Sequence, residues 1–336
     1  MRRVHYCYAL LVWAACACID IASAAVVYVD KDNVSGIEDG TSWATAFTTL
    51  QPAMDAAGDN GTVWIAEGLY DEARSGHEYG GLIIKDALHV FGGFTGTETS
   101  VDQRDLAHHE TIVDGSKAFN GQAAPTVVWT YDAIELDGLI VQGGRAQGRE
   151  SHLHDINSCG GLAAFAPHDA QGNPIPNVEI SIRNCTFRDN RAYLSCAPLG
   201  IFPEEDIHCV IQNCLFENNA ITYSFASNEP LIELNPFEPP GSYNDLSYCP
   251  YPSGGSRYLV DSCIFRRNTG NFDSYVHVAG EDVVFANCLF DTLSGERHEL
   301  QLGSHAYTDT LTVRNCEFQL GGSAQIGANY ALGTLS

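Results

Sequence analysis

Five times this chain sets an asparagine or serine, a cysteine, one variable residue and a phenylalanine in a row: "NCTF" from Asn184, "NCLF" from Asn213, "SCIF" from Ser262, "NCLF" from Asn287 and "NCEF" from Asn315. A motif recurring every few tens of residues restricts the chain to architectures made of stacked equivalent units. The five cysteines fall 29, 49, 25 and 28 residues apart. Upstream of each, apolar and polar residues alternate, as Val178, Ile180 and Ile182 do with Glu179, Ser181 and Arg183. That is the period of a strand with one buried face. The phase then slips by one, so that Cys185 and Phe187 share the inward side, and a bend at the asparagine accounts for the slip. The expectation is that this asparagine fills the bend from inside and bonds its counterparts above and below. Cysteine would be a small buried filler, and phenylalanine would fill the wider corner.

A further apolar stretch precedes each unit: "CGGLAAF" from Cys159, "CAPLGIF" from Cys196, "EPLIEL" from Glu229, "SYVHV" from Ser274 and "HELQL" from His298. Three short strands in fixed order per turn of about 25 residues predict an all-β, right-handed parallel β-helix solenoid. The spacing of 49 is then one ordinary turn carrying an inserted loop of roughly twenty residues after Leu234. Less regular rungs precede these, at "TVWIAEG" (Thr62), "LIIKDALHVFGGF" (Leu82), "TIVDG" (Thr111) and "AIELDGLIVQGG" (Ala133). Leu50, Met54 and Ala57 recur at helical spacing, with Gly58 to stop them. They predict a short N-terminal helix capping the open edge of the coil. The C-terminal end shows no such cap and would be closed by a partner or by further chain.

Residues 1–24 read as a signal peptide. Arg2 and Arg3 precede an apolar run from Tyr6 to Ala17, and Ala22, Ser23 and Ala24 fit a cleavage site. Residues 25–336 form one domain: a cap region over 25–61, irregular rungs over 62–150 and regular Asn-Cys rungs over 151–320. No later segment reaches the ~20 apolar residues of a membrane-spanning helix. The expected location is therefore secreted or cell-surface. The formal charge of −25 repels nucleic acid and anionic membranes. Acidic polysaccharides would need a bridging cation such as calcium, the one cofactor worth considering. Neutral glycans or cationic surface partners suit the charge better.

Nine cysteines remain after removal of the leader, an odd number for an exported chain. Those of the repeat should stack about 4.8 Å apart, near disulfide range, but parallel side chains misalign the dihedral. Reduced thiols are expected there. Cys159 and Cys196 share a register one rung apart, and the partner of Cys249 is left open.

The repeats resemble those of chlamydial-type polymorphic outer-membrane proteins, within the bacterial, exported, pectin-lyase-like superfamily. The resemblance rests on Gly160, Gly161 and Leu162, on the Phe-x-x-Asn runs Phe187–Asn190, Phe216–Asn219 and Phe265–Asn268, and on "VWIAEGLY" and "VFGGFTGTE…QRD" nearer the N-terminus. Phe290 and Phe318 lack the asparagine. The resemblance implies a β-helix and leaves the activity open, because such folds carry lyases, hydrolases, adhesins and stalks.

Outward positions of the second strands stack into columns. One reads Glu179, His208, Arg257, Asp282, Thr310, and another reads Asp137, Arg183, Gln212, Asp261, Ala286, Arg314. A lyase would use Arg257 or His208 as base, with Asp261 or Asp282 as acid or calcium ligand and Glu179 nearby. Complementary neighbours (Glu179 by His208, Arg257 by Asp282, Asp137 by Arg183) read instead as a solvated ladder. Glycosidase carboxyls stand about 5–9.5 Å apart, whereas Glu179 and Asp282 lie three rungs apart, about 14 Å. Loops 166–177, 203–206 and 235–256 leave one edge, where insertions in solenoids build binding surfaces. The longest carries Phe237, Tyr243, Tyr248 and Tyr251, with Glu233, His277 and Glu299 lining the same side. His152, His154 and Asp155 are metal-ligand types in a polar loop and read as solvated. The "DKDNVSGIEDG" run from Asp30 fails the calcium-loop pattern at Val34 and Ser35. The preferred function is non-catalytic binding of glycans or surface partners through the loops. The alternatives are a polysaccharide lyase using the second-strand face, and a passive stalk.

Overall fold

The structure is a computed structural model. It describes residues 26–74, 78–146, 159–165, 167–193, 196–203, 205–222, 230–234, 255–269, 274–278, 280–291, 300–304, 310–319, 324–325 and 334–335. Its strands form three long parallel sheets wound as a right-handed β-helix. The first sheet has eight strands, Leu82–Ile84, Val128–Thr130, Leu162–Phe165, Leu199–Phe202, Pro230–Leu234, Ser274–Val278, Leu300–Ser304 and Ala324–Gln325. The second has ten, beginning at Val26–Val29, and the third has eight, beginning at Gly68–Tyr70. Strands Pro230–Leu234 and Arg257–Asp261 each pair with the rungs immediately before and after them. The interval of 49 is thus one turn with an insertion, as the spacing predicts.

The register is the predicted one. Glu179 pairs with His208, His208 with Arg257, Arg257 with Asp282 and Asp282 with Thr310. Cys185, Cys214, Cys263 and Cys288 are all buried, and each thiol points at the carbonyl of a residue in the preceding rung: Leu136, Ile182, Ile211 and Val260. Burial pushes the Cys185 thiol up to about 12, so it stays protonated and inert. The phenylalanines stack ring on ring, from Phe187 to Phe216 at 5.3 Å through Phe265 and Phe290 to Phe318 at 5.1 Å.

The asparagines depart from expectation. Asn184, Asn213 and Asn287 are exposed at the corner, with φ of 51–54°. They do touch their neighbours: Asn184 donates to Asp137 at 2.8 Å and Asn287 to Asp261 at 2.7 Å. The corner needs a left-handed residue, which asparagine tolerates, and such a residue turns its side chain out. Gly138 holds the same corner one rung earlier, at φ 78°. The inward role belongs to the asparagine that ends each Phe-x-x-Asn run. Asn190, Asn219 and Asn268 are fully buried, and their amides form a ladder inside the coil.

The predicted helix is present as Leu50–Ala57, with Gly58 following at φ 65°. Leu50, Ala53 and Met54 enter the core at the N-terminal end. Gln51, unremarkable in the sequence, completes the seal. Its amide donates to the Ile83 carbonyl and accepts from the Ile83 N–H, both at 2.8 Å. One side chain thereby replaces the strand missing beyond the edge of the first sheet.

On the outside of the third sheet Glu217 accepts from both Arg266 and Arg267. Burial alone would raise its carboxyl, but these arginines outweigh that and hold it below the ordinary glutamate value of 4.5. A depressed carboxyl contributes stability above its unfolded value that is lost as pH falls through the folded one. Glu217→Gln is therefore expected to lower the melting temperature at neutral pH. The deficit should shrink once the pH drops below 4.5. Thermal melts of both proteins across the acid range check this; a deficit independent of pH contradicts it.

Candidate functional site

First-sheet strands alternate between a core-facing and an outward residue. The outward column runs Ile83, Trp129, Ala163 and Gly200, and the backbone register continues through Glu233, His277 and Gly303. Beside it run Tyr131, which follows strand Val128–Thr130, then Phe165 and Phe202, which pair directly. Trp129 and Tyr131 both stack on Phe165, at 5.7 and 5.5 Å with planes within 17° of parallel. Phe165 stacks on Phe202 at 5.5 Å. Tyr131, Phe165 and Phe202 are half-buried, unlike the fully enclosed Phe187, Phe216, Phe265 and Phe290.

Two details shape this face. Gly200 carries no side chain where a Cβ would lie within 2.5 Å of the Phe202 ring and 2.4 Å of Cys159 Sγ, so the ring lies across the strand at that position. After Phe202 no further ring stacks among the described residues, and the register positions change to Glu233 and His277, adjacent across one rung. The arrangement is an aromatic wall that ends, among the described residues, at the Phe202 ring.

The loops expected here do leave these strands. Residues 167–175 fold back on themselves, with Ile175 N–H bonded to the Pro167 carbonyl at 2.8 Å. Asp169 caps the turn by accepting from the backbone of Gln171 and Asn173. Phe237, Tyr243, Tyr248 and Tyr251, like His152, His154, Asp155 and Glu299, lie outside the described residues.

The second-sheet column offers less. His208 Nδ1 lies 3.3 Å from Glu179 Oε1, both side chains exposed. His89 makes a like pair with Glu135 at 2.8 Å elsewhere on the same face, so a His–Glu contact there is a repeated surface feature. Arg257 and Asp282 are in register but make no ion pair; Asp282 accepts from Thr310 Oγ1 at 2.8 Å instead. Asp137 does not pair with Arg183 either. Arg104 reaches it at 3.2 Å, from a loop that crosses the sheet, and Arg183 turns to Gln212 at 2.7 Å. Register alone could not show this, because the competing guanidinium arrives from outside the repeat. The Asn287 hydrogen bond, with another from Gln212, holds the Asp261 carboxyl below the usual aspartate range, so Asp261 is an acceptor rather than a proton donor near neutrality. Among the described residues no cluster of histidine, cysteine and carboxylates could hold a metal ion.

The aromatic wall was legible but not read. Trp129, Tyr131, Phe165 and Phe202 all occupy outward positions of successive first strands, and aligning these strands as the second strands were aligned would have exposed the column. No family model matches the sequence, and no curated protein matches it. Two solved structures of pectin methylesterase from Aspergillus niger, one deglycosylated and one penultimately deglycosylated, are similar over 93% of this chain and 91% of theirs. Identities are 12% and 13%, and TM-scores 0.40 and 0.38 respectively. The coil is established by the strand pairing above, independently of these two.

Proposed function

We propose that this chain is an exported or cell-surface β-helix that binds a neutral glycan on the outer face of the first sheet and performs no chemistry on it. The observation that carries this reading is the wall of Trp129, Tyr131, Phe165 and Phe202, stacked in series on the outer face of the first sheet. The apolar face of a pyranose packs on an aromatic ring, while its hydroxyls need a few convergent polar groups. The wall supplies the first, and the strand positions of Glu233 and His277 follow next in register. Phe237, Tyr243, Tyr248 and Tyr251 follow the Glu233 strand in the sequence. The charge of −25 selects against polyanions. The leader at 1–24 delivers the chain to where such ligands are found.

Absence of catalysis is supported by the second-sheet groups a lyase would use. Asp261 and Asp282 are engaged with neighbouring side chains, and Glu179 pairs with His208. The full chain without its leader, applied to an array of neutral and acidic glycans, should retain neutral ones. Phe202→Ala should weaken that binding at least ~10-fold, a loss of about 1.4 kcal/mol. Glu179→Gln and Asp282→Asn should leave it unchanged. Binding indifferent to Phe202, or release of unsaturated sugar from any polysaccharide, removes the reading.

A further inference from the structure

Two cysteines stand apart from the inward ladder. Cys159 and Cys196 are fully buried, yet belong to a small separate cluster with Ile83, Trp129 and Ala163, over the outer face of the first sheet. Each precedes by three residues the start of its strand, Leu162 and Leu199, and those two residues pair in register. The turns between are stitched together, Gly160 and Gly161 N–H both bonding the Ala197 carbonyl at 3.1 and 2.9 Å. Equivalent positions one rung apart place the Cα atoms about 4.8 Å from each other, within disulfide range. In the inward ladder equivalence keeps side chains parallel and each thiol on a carbonyl. Here it does not. Cys196 takes a left-handed backbone, φ 45°, which rotates its side chain relative to that of Cys159, and the two sulfurs lie 2.9 Å apart. Gly200 leaves the space the Cys159 sulfur occupies.

We infer that Cys159 and Cys196 form a disulfide that staples two successive turns beneath the aromatic wall. An exported chain meets disulfide oxidants of the thiol-exchange class. One cysteine thiolate attacks the oxidant disulfide, forming a mixed disulfide and expelling one thiol. The second thiolate attacks the cysteine sulfur of that mixed disulfide and expels the other. The protein sulfurs lose two electrons, and the two protons leave on the expelled thiols. The inward thiols Cys185, Cys214, Cys263 and Cys288 stay out of this exchange, each buried against a backbone carbonyl of the preceding rung.

The test uses the full chain, incubated with oxidised glutathione, denatured without reductant, alkylated and mapped by mass spectrometry. The expected result is a cross-linked peptide pair holding Cys159 and Cys196, about 2 Da lighter than the two thiols, with Cys185, Cys214, Cys263 and Cys288 alkylated. Reductant should then lower the melting temperature by about 5–10 °C, and the double variant Cys159→Ala, Cys196→Ala should be insensitive to it. The proposal is overturned by alkylation of both Cys159 and Cys196 in the oxidised chain. A bond from either to another cysteine, Cys249 included, overturns it as well, as does a wild-type melting temperature unmoved by reductant. Mapping the wild-type chain decides the matter even where the variant folds poorly.

Discussion

Phe216→Ala is expected to destabilise the coil by about 3–5 kcal/mol, the usual cost of emptying a phenylalanine-sized site in a packed interior. The ring is fully buried and lies between two others, Phe187 at 5.3 Å and Phe265 at 4.9 Å, with planes within 7° of parallel. Phe265 stays stacked on Phe290, and Phe187 is fixed by the hydrogen-bond register of its rung. The cavity therefore stays open. In a solenoid each turn contacts only the turns beside it, so a central defect weakens two interfaces at once. Phe318 provides the internal comparison. It is half-buried and stacks only on Phe290 among the described residues. Phe318→Ala should cost less than half as much. Urea melts of both variants, compared at the midpoint, distinguish them. Equal shifts would mean that burial between stacked rings is not what holds these turns together.

What the sequence made legible was everything governed by local period. Alternation fixed the second strands, the motif spacing fixed the turn, and together they fixed the register that pairs Glu179 with His208 and Arg257 with Asp282. The inserted loop and the helix Leu50–Ala57 followed from the same patterns. Contacts depending on a group outside the repeat were not legible. Arg104 takes Asp137 from Arg183, and Gln51 closes the first sheet, although neither position is marked by any repeat. The aromatic wall is hidden for a different reason. The charged columns stand on the second sheet, whereas the wall of Trp129, Tyr131, Phe165 and Phe202 sits on strands whose outward residues are apolar. Such residues read as core by hydropathy, and only their parity shows that they face out.

The paired asparagines of the units at Asn184 and Asn213 make the sharpest test, because the sequence presents them alike and the structure gives them opposite roles. Asn219 is fully buried. Its Nδ2 donates to the Phe187 carbonyl at 2.9 Å and to Asn268 Oδ1 at 3.1 Å, and its Oδ1 accepts from the Asn190 N–H at 3.1 Å. Asn219→Leu would keep the volume and strand at least two backbone groups away from water. Each buried unsatisfied group costs roughly 1–3 kcal/mol, so a loss of about 3–5 kcal/mol is expected, as large as that for Phe216. Asn213 is exposed, and its recorded side-chain bond, to Asn184 Oδ1, is long at 3.4 Å. What its position demands is the left-handed backbone, φ 53°. Glycine meets that demand without strain, so Asn213→Gly should change stability by less than about 0.5 kcal/mol, whereas Asn213→Val should cost about 1–2 kcal/mol. Chemical denaturation of the three variants separates a hydrogen-bonding role from a conformational one. If Asn213→Gly proves as damaging as Asn219→Leu, the outer asparagines hold the turns together through their side chains, and the division of labour drawn from the structure is wrong.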